Sequence, residues 1–219
     1  MIKAVLFDMD GTLLDTESIG LKAWQYIIDK YSLNIDLTLP IKSIGLNHKS
    51  TAKLFHDELG ENFPYEKYWD EGMAYFKEYE RTKGVPVKKG FDVLSAFLKE
   101  NSIKMIVATS TYHDSATESL KRAGIYEKFD GLVGGDEVEN GKPAPDVFLK
   151  AVSLTGLSAD ECLVIEDSEN GIKASLAAGI KCIYIKDIKD ICDELKATAY
   201  RECKDMSEVC EVIKELNFS

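Results

Sequence analysis

The sequence predicts an α/β fold: a doubly wound parallel sheet with a small all-helical domain inserted after the first strand. Three observations predict it. Short apolar runs alternate with helix-length amphipathic segments from residue 84 onward. The stretch from Glu17 to about Lys83 shows helical periodicity and no strand. The first strand, Ala4 to Phe7, is an unbroken apolar run of the kind buried on both faces of a parallel sheet. It ends abruptly in Asp8, Met9, Asp10, Gly11 and Thr12, and open α/β sheets place their chemistry at the carboxyl ends of strands. Taken alone, Asp10-Gly11 equally describes an ordinary turn.

Each further element follows in chain order. Leu21, Trp24, Ile27, Ile28 and Tyr31 lie at helical spacing, with Ser18 read as the N-cap. Ile44 to Lys49 breaks the pattern and reads as a loop. A second helix runs from about Ser50 to Leu59, and a third, rich in aromatics, from Glu66 to Arg81. Trp24, Tyr68, Trp69, Tyr75 and Phe76 are expected in the core of this insert. Alternation then resumes. Helices are expected near 91–101, 115–123, 146–154, 170–178 and 206–216. Strands are expected at 103–109, 131–133, 162–165 and 181–185, with a short sixth near Ala199-Tyr200. Gly124 is read as a C-cap. The alternation is that of a Rossmann-like core made of residues 1–16 and 84–219, with residues 17–83 as the helical insert. The chain crosses one hinge twice, near Thr16-Glu17 and Lys83-Gly84.

Composition narrows the classes. Acidic residues number 38 against 27 basic ones, a net charge of −11, which argues against a general binder of nucleic acid or anionic membrane. A small phosphorylated substrate is still compatible, because a local lysine and a metal outweigh the global field. No apolar stretch approaches the ~20 residues needed to span a bilayer, and no signal peptide is read. The five cysteines (Cys162, Cys182, Cys192, Cys203, Cys210) have no C-x-x-C spacing and are expected reduced and buried, in a cytoplasmic protein. The three histidines form no zinc-ligand pattern.

Four strand ends carry polar punctuation. They are Asp8-x-Asp10-Gly11-Thr12, then Thr109-Ser110, then Gly141-Lys142-Pro143 in the loop beyond the third strand, then Glu166-Asp167. Each is weak singly: a Thr-Ser after a strand usually caps a helix, and a loop lysine is usually solvated. Together they fit one reaction. A carboxylate is a competent nucleophile toward phosphorus. The repulsion between two anions is relieved by Mg²⁺ on acidic oxygens and by a lysine, and hydroxyl and backbone N–H groups cradle phosphate oxygens. A second carboxylic acid protonates the leaving oxygen and later activates water.

With these four motifs in order, the chain resembles the haloacid dehalogenase superfamily, in the branch with a helical cap after the first strand. The resemblance covers about Met1 to Ile185. It implies that Asp8 is the nucleophile and a metal ligand. Asp10 is then the general acid/base, its carbonyl on the metal. Thr109, Ser110 and Lys142 bind phosphate, and Asp167 binds Mg²⁺ with Glu166 as a ligand or its neighbour. It also implies that the first and fourth strands are adjacent. Asp10 favours C–O–P chemistry, since dehalogenases and phosphonate hydrolases depart at that position. The reading is a phosphatase for a small phosphomonoester, a sugar phosphate or a nucleotide, acting as a monomer. The alternative is a beta-phosphoglucomutase-like phosphotransferase. Such mutases carry a His where Gly20 stands and an Arg in the cap loop where His48-Lys49 stand. Lys49 is the cap residue expected near substrate. A third reading, a non-catalytic sensor of a phosphometabolite, fits poorly with both aspartates intact.

Overall fold

The computed structural model describes residues 1–218. Strand β1 (Ala4–Phe7) is fully buried and sits mid-sheet, pairing in parallel with β2 (Lys104–Ala108) on one side and β4 (Cys162–Glu166) on the other. With β3 (Gly131–Val133), β5 (Lys181–Ile185) and β6 (Arg201–Cys203) the sheet order is β3-β2-β1-β4-β5-β6, all parallel. Strand order reverses between β1 and β4, the switch point at which such sheets bind ligands.

A strand alternates its side chains between faces, so burial of both Leu6 and Phe7 requires cover on both sides. Leu6 packs into a cluster with Ile106, Val164 and Phe148. On the other face Phe7 meets Phe91 and Phe129 edge-on, ring centroids 6.2 and 5.8 Å away. Helices α5 (Phe91–Glu100), α6 (His113–Arg122), α7 (Asp146–Thr155), α8 (Glu169–Ala177), α9 (Asp193–Lys196) and α10 (Val209–Phe218) complete this unit.

The chain divides into two compact units. One joins residues 1–15 to the chain from Val85 onward, and the other is Thr16–Gly84. At the two crossings Leu14 bridges Val87, Asp15 N–H donates to the Pro86 carbonyl at 2.9 Å, and Lys88 N–H donates to the Leu13 carbonyl at 2.9 Å.

The helical unit comprises α1 (Thr16–Tyr31), α2 (Thr38–Ser43), α3 (His48–Leu59) and α4 (Tyr65–Lys83). Its core stacks Trp24 on Phe55 at 4.5 Å, with Tyr65 and Tyr68 buried and Trp69 packed against them. Tyr75 and Phe76 stand outside that cluster, because Tyr75 stacks instead on Tyr26 of α1. Ser18 lies within the first turn of α1 and is no cap. Asn47 caps α3, its side chain accepting from Ser50 N–H at 2.9 Å. That cap draws His48 and Lys49 into the helix, so the loop is shorter than the sequence suggested. Helix α2 is too short for periodicity to reveal.

Two further expectations are corrected. The sixth strand lies just beyond Ala199-Tyr200. It begins with exposed Arg201 and Glu202, as an edge strand can, so no apolar run marks it. All five cysteines are free, but Cys192 is exposed, since it sits just before α9 and outside the sheet.

Candidate active site

The β1–β4 ladder sets the site. Asp8 N–H continues it by donating to the Ile165 carbonyl at 3.0 Å, which holds the Asp8 carboxylate beside the end of β4. There Asp8, Glu166 and Asp167, all buried, each offer a carboxylate oxygen within 4.8 Å of the others. Lys142, on the loop before α7, reaches into the group. Its Nζ donates to Asp8 Oδ1 at 2.5 Å and Glu166 Oε1 at 2.8 Å, and lies over the Phe148 ring.

Glu166 is engaged through both oxygens. Its Oε2 accepts from the backbone N–H groups of Asp167 and Ser168, each at 2.8 Å, and from Ser168 Oγ at 3.0 Å. Ser168 Oγ in turn caps α8 by accepting from Gly171 N–H. A Cβ on Gly171 would overlap the Glu166 carboxylate. Asp167 Oδ1 accepts from Thr12 Oγ1 at 2.7 Å. Gly11 makes this approach possible: its φ is +82°, and a Cβ there would stand 2.5 Å from Asp167 Oδ2.

Asp10 has a different environment. It is half-buried, and its Oδ2 accepts from Thr111 Oγ1 at 2.7 Å, with Thr109 Oγ1 at 3.5 Å. Thr109 is buried at the end of β2, and its hydroxyl accepts from Thr111 N–H at 3.0 Å, so the turn after β2 is shaped by these two threonines. Ser110 is exposed, its backbone packed on Gly135. Lys49 is exposed in the first turn of α3, in the helical unit.

The electrostatics follow from burial. Asp8 is pushed up to about 8, first by burial and then by the charges of Glu166 and Asp10, against the pull of Lys142. Asp167 is held well above the usual carboxylate range by burial and by Glu166 and Asp8. Burial works against the Lys142 ammonium, but Asp8 and Glu166 outweigh it and keep it charged. Three buried carboxylates share one buried ammonium, so with all four ionised the group carries two uncompensated negative charges. Unpaired buried charge is costly, and an oxygen-rich set of this kind fits a hard divalent cation.

The strand ends thus bring together Asp8, Asp10, Thr109, Lys142, Glu166 and Asp167. Sequence reasoning missed the parts played by Thr111, Thr12, Ser168 and Gly171. Thr111 follows Thr109 by two residues, the only local signal for it; the partners of the others emerge only from the packing.

Fold and site define a class of hydrolase. The chain belongs to the haloacid dehalogenase-like hydrolases, whose family profile matches residues 5–185, and is an enzyme of that family. It is similar to the phosphorylated carbohydrates phosphatase of Thermotoga maritima, 29% identical over 98% of this chain and 100% of that protein. It is also similar to the beta-phosphoglucomutase of Bacillus subtilis, 29% identical over 82% of this chain and 81% of that one. The crystal structure of CbbY from Rhodobacter sphaeroides in complex with phosphate matches with a TM-score of 0.75 at 25% identity, over 95% of this chain and 96% of that one.

Proposed function

We propose that the chain is a Mg²⁺-dependent phosphatase that hydrolyses a small phosphomonoester, a sugar phosphate or a nucleotide, through an aspartyl-phosphate on Asp8. The observation that carries this reading is the contrast between two nearby carboxylates. Asp8 is buried against Lys142, whereas Asp10 is half-buried and held by Thr111. The ammonium of Lys142 and a cation beside Asp8 would favour its ionised, nucleophilic form, which leaves Asp10 as the acid/base.

Asp8 and Asp167, with the Asp10 carbonyl, would hold the divalent ion. Glu166, already committed to Lys142 and the α8 turn, supports them from behind. When bound, the ion supplies charge neutralisation for the approach of carboxylate to phosphate. Lys142 lowers the cost of ionising Asp8, which the divalent ion would complete, and offers positive charge to the incoming phosphate. Thr109 and Ser110 are assigned to its oxygens. The Asp8 carboxylate attacks phosphorus, and the ester C–O oxygen leaves with the proton of Asp10. Asp10, now ionised and stabilised by Thr111, takes a proton from water, which attacks the phosphorus of the acyl phosphate and releases inorganic phosphate. Lys49, in the first turn of α3, is assigned to substrate binding because it closes the segment whose sequence breaks the helical pattern.

The name of the Thermotoga maritima relative supports a phosphorylated carbohydrate as substrate. The Bacillus subtilis mutase has the same identity over a shorter match, so identity alone does not separate the readings. Gly20 and Lys49 favour the phosphatase, since a lysine is a poorer bidentate phosphate clamp than an arginine. The enzyme is further taken to be a cytoplasmic monomer; no helix among the described residues is long and apolar enough to cross a membrane.

The test is incubation with a panel of sugar phosphates and nucleotides in Mg²⁺, with phosphate release followed. Release from several members, with none from the Asp8→Asn variant, is expected. Conversion of beta-glucose 1-phosphate to glucose 6-phosphate with a trace of glucose 1,6-bisphosphate, and little free phosphate, would overturn the reading in favour of the mutase.

A further inference from the structure

Just beyond β5, Asp187 has a buried carboxylate that none of the roles above uses. Its side chain is 4% exposed. One oxygen, Oδ1, is paired with Lys88, which also lies 3.9 Å from Asp15. The other, Oδ2, is buried and has no hydrogen-bond partner. A buried acceptor without a donor costs about 1–3 kcal/mol, and more when charged. An ion pair with Lys88 accounts for one oxygen and leaves the second unexplained.

The position of the orphan oxygen gives it a direction. A Cβ on Gly11 would stand 2.5 Å from Asp167 Oδ2 and 3.0 Å from Asp187 Oδ2, so one methyl-sized volume touches both. Thr12 already satisfies the other Asp167 oxygen. Oxygens of Asp167 and Asp187 therefore border one small volume beside the cluster formed by Asp8, Glu166 and Asp167, and that of Asp187 has no donor. When both are ionised, a cation or its water relieves their repulsion. Thr12 and Lys88 also line a cavity of about 530 Å³.

We propose that Asp187 is an outer residue of the metal centre. Its Oδ2 accepts a hydrogen bond from a water carried by the divalent ion held at Asp8 and Asp167, and Lys88 orients it through Oδ1. The inference rests on the metal reading above. Mg²⁺ keeps several of its waters when protein-bound, and those waters need acceptors. Outer partners of this kind commonly contribute 10- to 100-fold to metal affinity.

The experiment is calorimetric titration of the metal-free protein with Mg²⁺, without substrate, for the wild type, Asp187→Asn, Asp187→Ser and Asp167→Asn. Asp187→Asn keeps an acceptor for Lys88 while removing the charge. About tenfold or greater weakening of Mg²⁺ binding is expected in both Asp187 variants, with their metal-free melting temperatures close to wild type. A purely structural ion pair with Lys88 predicts the opposite: lower melting temperatures and a Mg²⁺ Kd within twofold of wild type. That result, or failure of both Asp187 variants to fold, would overturn the proposal while the metal reading stands. Absence of Mg²⁺ binding in the wild type would sink the metal reading itself, and binding retained by Asp167→Asn would remove Asp167 from it.

Discussion

Lys142 Nζ stands between two carboxylates, 2.5 Å from Asp8 Oδ1 and 2.8 Å from Glu166 Oε1, with its side chain 4% exposed. Removing one partner of a buried pair strands the others, at a cost of about 3–5 kcal/mol. Lys142→Met should therefore lower stability by about that amount at pH 8, measured by urea unfolding. It should also reduce kcat by about 10²-fold or more, since it deletes a charge aimed at the reacting phosphate. A variant with kcat within tenfold of wild type would remove Lys142 from the machinery.

Thr111 reaches Asp10 at 2.7 Å. A hydrogen bond to a charged group contributes about 1.5–3 kcal/mol. Thr111→Val should lower kcat by about ten- to a hundredfold with a smaller change in KM, and Thr111→Ser should restore most of it. Equal kinetics for Val and Ser would show that the hydroxyl is idle and that only the shape of the turn counts.

Two glycines should respond in opposite ways. A Cβ on Gly171 would overlap the Glu166 carboxylate, whereas one on Gly20, inside α1, meets nothing within 4 Å. Gly171→Ala should cost about 1–3 kcal/mol or more through overpacking, and should weaken Mg²⁺ binding by displacing Glu166. Gly20→Ala should stabilise by about 0.5–1 kcal/mol, because alanine loses less entropy in a helix. Thermal unfolding of the two variants side by side distinguishes a site glycine from a surface one.

The metal-free protein should lose stability as pH rises. Asp8 is held at about 8 by burial and the neighbouring carboxylates, against about 3.9 for an unfolded aspartate. Between those values the folded state binds more protons than the unfolded one. The Asp8 contribution is thus complete below about pH 4 and is lost as pH climbs through about 8. A cation must displace that proton, so stabilisation by Mg²⁺ should be largest near pH 8 and shrink toward pH 6. Melting temperature against pH, with and without Mg²⁺, measures both trends. An equally steep metal-free profile in Asp8→Asn would assign the effect to other groups.

The central strand, the acidic pair that ends it and the helical insert after it were legible in sequence because they depend on local pattern. An apolar run ended by Asp8, and helical periodicity from Trp24 to Tyr31, are properties of neighbouring residues. The family resemblance implied that the first and fourth strands are neighbours, and the β1–β4 pairing brings Asp8 beside Glu166-Asp167. Local competition already blurred the helix starts, where Asn47 rather than Ser50 set the beginning of α3.

Only the tertiary structure decided which side chains serve these residues. Thr111 and Asp10 are 101 positions apart, Thr12 and Asp167 are 155, and Lys88 and Asp187 are 99. Nothing in the composition of either segment specifies the other. Each pair exists because the parallel register brings separate strand ends to one depth, where the close packing permitted by Gly11 and Gly171 leaves room for particular oxygens. Burial did the rest: it turned four common charged residues, Asp8, Lys142, Glu166 and Asp167, into a coupled charge cluster by removing the water that would have made them independent.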